Sequence, residues 1–330
     1  MSSSVQLSDV RAARERIEPF LHRTPLLGSA TLSDWTGALL YLKPENLQRT
    51  GSFKPRGGIN AASLLTAYER ARGVIAVSAG NHGAGLAYGA RMTGTRATIV
   101  MPETASRSKI AAIEGYGAEV VLVDGGRLME SMETLQQEQG QLFIHPFDHP
   151  AVIAGQGTVG LEILEDAPQV EVVVVPVGGG GLLAGVATVV KALRPEVQVI
   201  GVEPEGSAVV SQSLAAGSPM RLDRFATIAD GLNAPWSGPQ SLQIIGQLVD
   251  DMVTVTDVEI AASMRLLLER CKLLTEPAGA AAVAALLARR VPQAEGKNVA
   301  AILSGGNVDL SRLTDLFALA GTAFDKANAT

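Results

Sequence analysis

Apolar positions Val10, Ala13, Ile17 and Phe20 recur at near-helical spacing, and Pro19 with the later Thr24 and Pro25 predicts where that helix stops. A short apolar run at 39–43 predicts a strand ending at Pro44. From Gly73 the pattern becomes regular. Residues 73–78 (GVIAVS) predict a buried strand and 82–92 an alanine-rich helix; 96–101 predict the next strand and 108–116 its helix. A third strand at 119–123 is followed by a helix over 128–139, and 142–145 closes the series. A second series opens at 170–177 (VEVVVVPV), the strongest strand pattern in the chain. It continues through a helix at 182–193 and a strand at 197–202. A glycine-, serine- and proline-bearing region, 206–239, then precedes the segment LVDDMVTVT at 248–256. Helices over 257–269 and 277–289, a strand at 298–304 and a helix over 310–319 complete the pattern. Strand and helix alternating at about 20 to 25 residues per unit predict parallel sheets. The two series predict two α/β domains with a cleft between them.

Composition narrows this picture. A chain of 330 residues accommodates one large domain or two of medium size. It is 47% apolar, which excludes disorder as the dominant state, but only 4% aromatic, so its core must be built from Ala, Val, Leu and Ile. Lys and Arg number 27 against 33 Asp and Glu, and the net charge of -6 offers no electrostatic footprint for a nucleic acid. The single cysteine, Cys271, excludes an internal disulfide and a cysteine-rich metal site, and it reads as buried filler in an apolar helix. Residues 1–9 are polar and carry no signal-peptide pattern, and no run of 18 apolar residues appears. A cytoplasmic location without membrane contact is the expectation.

Several polar turns follow predicted strands. Four glycines, Gly178, Gly179, Gly180 and Gly181, lie between the strongest strand and an apolar helix starting at Leu182. Such a turn either points backbone N–H groups at a phosphate or serves close strand–helix packing. It matches neither GxGxxG nor GxxxxGK[ST]. SAGNHGAG at 78–85 presents Asn81 and His82 where a helix begins, and SGGNVD at 304–309 places Ser304 at the end of the last strand, the edge where open α/β sheets hold ligands. Lys54 sits in TGSFKPRGG at 50–58, which reads as a Gly- and Ser-bearing loop. An amine nucleophile together with a phosphate cradle is the combination that pyridoxal phosphate requires. Glu203 and Glu276 are candidate cleft carboxylates. His22, His145 and His149 are dispersed and form no metal-ligand motif.

Together these segments resemble the fold-type II pyridoxal-phosphate enzymes, and within them the threonine/serine dehydratases (ammonia-lyases). The resemblance runs from HRTPL at 22–26 through PENLQRTGSFKPRG at 44–57, SAGNHGAGLAYGAR at 78–91, MPETASRSK at 101–109 and GGGGLLAG at 178–185. It continues through GVEPEG at 201–206, TIADGL at 227–232, TEPAGA at 275–280 and SGGNVD. It implies a tryptophan-synthase-β-like α/β fold of two three-layer αβα domains with mostly parallel sheets and the cofactor in the interdomain cleft. The large cofactor-binding domain would comprise 1–46 and 150–330, and a small, mobile, substrate-side domain 47–149. Carried over by position, Lys54 is similar to the Schiff-base lysine, with Phe53 beside the cofactor ring. Asn81 resembles the partner of the ring 3′-hydroxyl and Ser304 that of the pyridine nitrogen. Gly178, Gly179, Gly180, Gly181 and the N–H of Leu182 resemble the phosphate cradle, and Ser78, Ala79, Asn81 and His82 the loop receiving the substrate carboxylate.

The implied reaction removes water from a β-hydroxy amino acid, L-threonine with L-serine second, giving a 2-oxo acid and ammonia. The resemblance also implies pyridoxal 5′-phosphate as cofactor, a homodimer, and a short form with no regulatory domain. Two departures stand out. Racemases of this family carry a second serine where this chain has Ala79, and their divalent-cation site pairs a glutamate matching Glu203 with an aspartate where this chain has Val209. No bound metal is expected. Asn233, Trp236 and Ser237 replace the more basic stretch that follows ADG in many threonine deaminases. That keeps open a specialised substrate: 3-hydroxyaspartate, a phenylserine or an intermediate of hydroxyectoine breakdown. A serine racemase and a non-catalytic pyridoxal-phosphate-binding protein are the remaining alternatives.

Overall fold

The computed structural model describes residues 5–324; residues 1–4 of the polar N-terminal stretch lie outside it. The strands are β1 (Leu27–Gly28), β2 (Leu39–Pro44), β3 (Val74–Val77), β4 (Ala97–Pro102), β5 (Glu119–Val123), β6 (Leu142–Phe143), β7 (Val172–Pro176), β8 (Gln198–Pro204), β9 (Asp251–Val255) and β10 (Asn298–Leu303). They form a six-stranded sheet in the order β1-β2-β10-β7-β8-β9 and a four-stranded sheet in the order β5-β4-β3-β6. Every pairing is parallel except that of the two-residue β1 with β2. This is the mostly parallel α/β architecture that the alternation predicts.

The order within each sheet decides where a ligand can go. From β7 the chain winds outward through β8 to β9, then returns to lay β10 on the other side of β7. In the smaller sheet it winds from β3 through β4 to β5 and returns to place β6 on the other side of β3. Where successive crossovers leave in opposite directions, a crevice opens outside the carboxyl ends of the two strands. One crevice therefore lies beyond β7 and β10, at Gly178 and Ser304. The other lies beyond β3 and β6, at Ser78 and His145.

The core is aliphatic, as the scarcity of aromatics requires. All five residues of β7 are buried, and the flanking helix Gly181–Leu193 buries every position from Gly181 to Val190. The structure adds helices that periodicity does not reveal. Pro150–Asp166, 17 residues long, buries every position from Ala151 to Ile163 and so has no polar stripe to mark its period. Val209–Ala216 lies in the region that reads as glycine-, serine- and proline-bearing, and Pro239–Leu248 follows from its last residue. Lys54 does not sit in a loop. It opens the helix Lys54–Ser63, whose Gly58 lies so close to the helix Asn81–Thr93 that a Cβ there would meet the Gly85 carbonyl oxygen at 2.5 Å. Cys271 is half-buried, at the end of a π-helical turn, Leu267–Cys271, and its thiol meets Ser29 Oγ at 3.6 Å. No described helix is long and apolar enough to cross a membrane.

Candidate active site

One cavity of about 1240 Å³ draws on both crevices. Its lining includes Phe53, Lys54, Ser78, Ala79, Asn81, His82, the Gly178–Leu182 turn and Ser304. Segments far apart in sequence are joined there by backbone bonds. The Phe53 N–H donates to the Ser304 carbonyl at 3.1 Å, and Ser52 bridges Gly305, so the lysine segment is zipped to the end of β10. Ser304 itself is buried, with Oγ donating to the Ala278 carbonyl at 3.3 Å.

Lys54 is half-buried, its Nζ 2.9 Å from the Pro146 carbonyl oxygen beyond β6 and 5.1 Å from the centre of the Phe53 ring. Burial lowers its pKa to about 8 while the Glu276 carboxylate opposes that shift. Of the two candidate cleft carboxylates Glu276 lines the cavity and Glu203 does not, and Glu276 is pushed up to about 7, chiefly by burial. It accepts the Asn81 Nδ2–H at 2.6 Å, while Asn307 Nδ2 donates to Asn81 Oδ1 at 2.8 Å and to the Thr50 carbonyl at 2.7 Å. The Asn81 amide is thereby held in one orientation from both ends. Thr50, a β-branched residue, takes the left-handed conformation (φ 61°) beside this contact, a strained geometry typical of ligand-binding turns.

The Gly178–Gly181 turn is too tight for side chains. A Cβ on Gly179 would sit 2.4 Å from the Phe147 ring and one on Gly181 2.5 Å from the Phe147 carbonyl oxygen, while Gly180 requires φ +97°. The first N–H groups of the helix Gly181–Leu193 have no carbonyl in their own helix to bond, and Gly181, Leu182 and Leu183 line the cavity, which makes this helix start suited to an anion. Three residues lining the cavity carry buried polar atoms without a partner: Thr50 Oγ1, Gln156 Oε1 and Asn233 Oδ1. A cavity with a positive turn, a buried amine and unmet polar atoms fits a phosphorylated, polar-edged cofactor.

His82 is buried, and its Nε2–H donates to the Ile144 carbonyl at 3.0 Å; burial lowers its pKa to about 3. The ring is held by Nε2 and neutral, and its low pKa makes it a weak base. Ser78 Oγ accepts the Gly80 N–H at 3.2 Å and shapes the turn into the helix Asn81–Thr93. Glu203 has both carboxylate oxygens engaged at the start of the helix Val209–Ala216, accepting the N–H groups of Val210 at 2.7 Å and Ser211 at 2.9 Å. Among the described residues no group of three or more His, Cys, Asp or Glu side chains gathers as a metal site.

Some site residues escaped sequence reasoning. His145 and Phe147 had no motif to mark them, and Asn307, though inside SGGNVD, was not singled out there; the convergence of the two sheets brings His145 and Phe147 to either side of the amine's anchor Pro146 and Asn307 to Asn81. A buried cluster also went unseen. Arg56, two residues beyond Lys54, forks to Glu45 and Glu162, and Lys43 bonds Glu162 at 2.6 Å. Two acids and two bases buried together carry no periodic signal.

A family model described as pyridoxal-phosphate dependent enzyme matches residues 17–305. The chain belongs to the pyridoxal-phosphate-dependent enzymes. It is 46% identical over 312 residues to a Thermotoga maritima protein named L-threonine ammonia-lyase, covering 94% of this chain and 77% of that one. Among solved structures, the T.th. threonine deaminase is 44% identical with a TM-score of 0.87, covering 92% of this chain and 99% of that one. Maize serine racemase is 36% identical with a TM-score of 0.91, covering 95% and 97%.

A family lysine attaches its cofactor through the neutral amine, so its titration is measurable in the cofactor-free protein. The rate of pyridoxal-phosphate attachment is expected to rise with pH until about 8 and then level off, because Lys54 loses its proton there. Glu276→Gln removes the charge that raises the lysine pKa, and the midpoint should move to lower pH. Stopped-flow absorbance of attachment across pH checks both, and a midpoint near that of an ordinary lysine contradicts them.

Proposed function

We propose that the chain is a pyridoxal-phosphate-dependent L-threonine ammonia-lyase that also accepts L-serine. The observation carrying this reading is the Lys54 amine, held at the Pro146 carbonyl where the crevices of the two sheets meet. The names of the relatives at 44–46% identity agree with it. The Gly178–Leu182 turn would hold the cofactor phosphate, Ser304 the ring nitrogen, Asn81 the 3′-oxygen, and Phe53 would pack beside the ring. When bound, the cofactor supplies the electron sink for charge developing at the substrate Cα. Ser78, Ala79 and the N–H groups of Asn81 and His82 receive the substrate carboxylate at the start of their helix. Lys54 takes the Cα proton, and its lowered pKa leaves roughly a tenth of the amine neutral at pH 7, far more than an ordinary lysine would have. The β-hydroxyl leaves as water on taking a proton from the Lys54 ammonium or the cofactor phosphate, and the released enamine takes up water to give a 2-oxo acid and ammonia. Ala79 carries no proton to return to the opposite face, which favours elimination over racemisation.

The reading takes residues 47–149 as the small, mobile, substrate-side domain and 1–46 with 150–330 as the large one. Strands β3 to β6 all fall within the first range and the other six within the second. A homodimer, on family resemblance alone, and a cytoplasmic location, on the absence of a signal-peptide pattern in the sequence, complete the proposal. The test is kcat/KM for 2-oxo acid release from L-threonine, L-serine, 3-hydroxyaspartate and phenylserine, with a parallel assay for the D-amino acid. Threonine should rank first. Threonine about a hundredfold below another member of the panel would transfer the assignment to that substrate.

A further inference from the structure

The segment that follows ADG reaches the cavity wall with a large ring, Trp236. It lies against two other rings, His145 at 6.1 Å and Phe147 at 6.4 Å between centres, and those two meet edge-on at 4.5 Å. His145 and Phe147 flank Pro146, whose carbonyl holds the Lys54 amine. The three-ring wall thus stands one residue to either side of the reactive nitrogen's anchor.

The indole is not free to swing. Its backbone bridges Arg221, the Leu222 N–H donates to the Pro235 carbonyl at 2.9 Å, and the Arg221 guanidinium lies 5.7 Å from the ring centre. The next residue, Ser237, is fully buried and donates to Ser213 Oγ at 2.9 Å. Ser241 clamps the same stretch to the wall, its N–H donating to Asp148 Oδ1 at 2.8 Å and its Oγ to the Phe147 carbonyl at 3.1 Å. His145 adds no charge: burial lowers its pKa to about 4, and its Nδ1 accepts the Asp148 N–H at 2.9 Å. An aromatic surface held by its backbone, backed by the Arg221 guanidinium and continuous with the two rings that flank Pro146, suits a small apolar substituent.

We propose that Trp236 is a specificity-determining residue: its ring forms the stop against which the substituent on the substrate Cβ packs, favouring a methyl over a hydrogen and excluding an aryl group. This rests on the reading of Lys54 as the amine acting on a β-hydroxy amino acid. A methyl group in an apolar pocket is worth about 10- to 200-fold in kcat/KM, which bounds what the wall can contribute to preferring threonine over serine.

The experiment measures kcat/KM of the holoenzyme for L-threonine, L-serine and phenylserine in wild type, Trp236→Ala and Trp236→Phe. Trp236→Ala should lower the threonine-to-serine ratio by roughly fivefold or more and raise phenylserine relative to threonine. Trp236→Phe keeps a shorter ring and should give an intermediate ratio; it carries the test if the alanine variant fails to fold. A general loss of packing would lower the rates for both amino acids together and leave their ratio in place. A ratio within about twofold of wild type in the variants overturns the assignment of Trp236 while leaving the Lys54 reading intact. A wild-type enzyme that releases 2-oxo acid from none of the three removes both.

Discussion

Lys54→Ala is expected to lower the rate of 2-oxo acid release by roughly 10⁴-fold or more, since in the proposed mechanism one side chain serves as covalent attachment point and as base. The neighbouring titratable groups are engaged elsewhere. The His82 ring is tied to the Ile144 carbonyl, and the His145 Nδ1 accepts backbone N–H groups from the turn that follows it. Glu276 is engaged by Asn81. Single-turnover release of 2-oxo acid from L-threonine, with cofactor in excess, checks this. A variant within about tenfold of wild type would show that another group takes the proton. The variant should keep its fold, because the Nζ makes a single hydrogen bond, to Pro146.

Arg56→Ala should destabilise the protein by about 3–5 kcal/mol, the cost of stranding a buried ion. Arg56 Nε and Nη2 bond the two Glu45 oxygens at 2.7 and 2.8 Å, and Nη1 bonds Glu162 Oε1 at 2.7 Å and Thr158 Oγ1 at 3.0 Å. Lys43 balances the second acid, and all four charged residues are at most 8% exposed. Burial works against the Arg56 charge, but the two carboxylates hold its pKa above the ordinary arginine value. Without Arg56, Glu45 keeps the Thr24 hydroxyl and loses its cation. Urea denaturation measures the loss. Arg56→Met combined with Glu45→Gln should recover part of it, because the second change removes the stranded charge. A stability loss below about 1 kcal/mol for Arg56→Ala would mean that water or a shifted Lys43 reaches Glu45. The cluster joins the end of β2, the helix carrying Lys54 and the helix Pro150–Asp166, so it fixes the base of the catalytic helix.

Strands with long uninterrupted apolar runs were legible because a parallel strand covered on both faces must be apolar at every position. The predicted strand at 73–78 is β3, that at 170–177 is β7 and that at 298–304 is β10, each displaced by two residues or fewer at either end. The helix predicted over 257–269 ends at Leu266, where the chain widens into the π-helical turn. The helix at Lys54–Ser63 was hidden because glycines and a proline at its start imitate a loop. Those glycines are there for helix–helix approach, which only the partner helix reveals.

By itself the sequence determined the elements that local chemistry governs: the alternation that makes the sheets parallel, the aliphatic core, and the glycine, asparagine and serine turns at strand ends. It also determined the family, since those turns flank a lysine in an order with little freedom. Only the tertiary structure decided which turns meet. Strand order is set by packing across hundreds of residues, and it is the reversal at β7 and β10, and again at β3 and β6, that opens two crevices onto one cavity. That convergence brings the Pro146 carbonyl to Lys54, Glu276 to Asn81 and Trp236 to the wall. None of these contacts has a local signal, because distance in space, burial and the resulting pKa shifts are properties of the assembled chain.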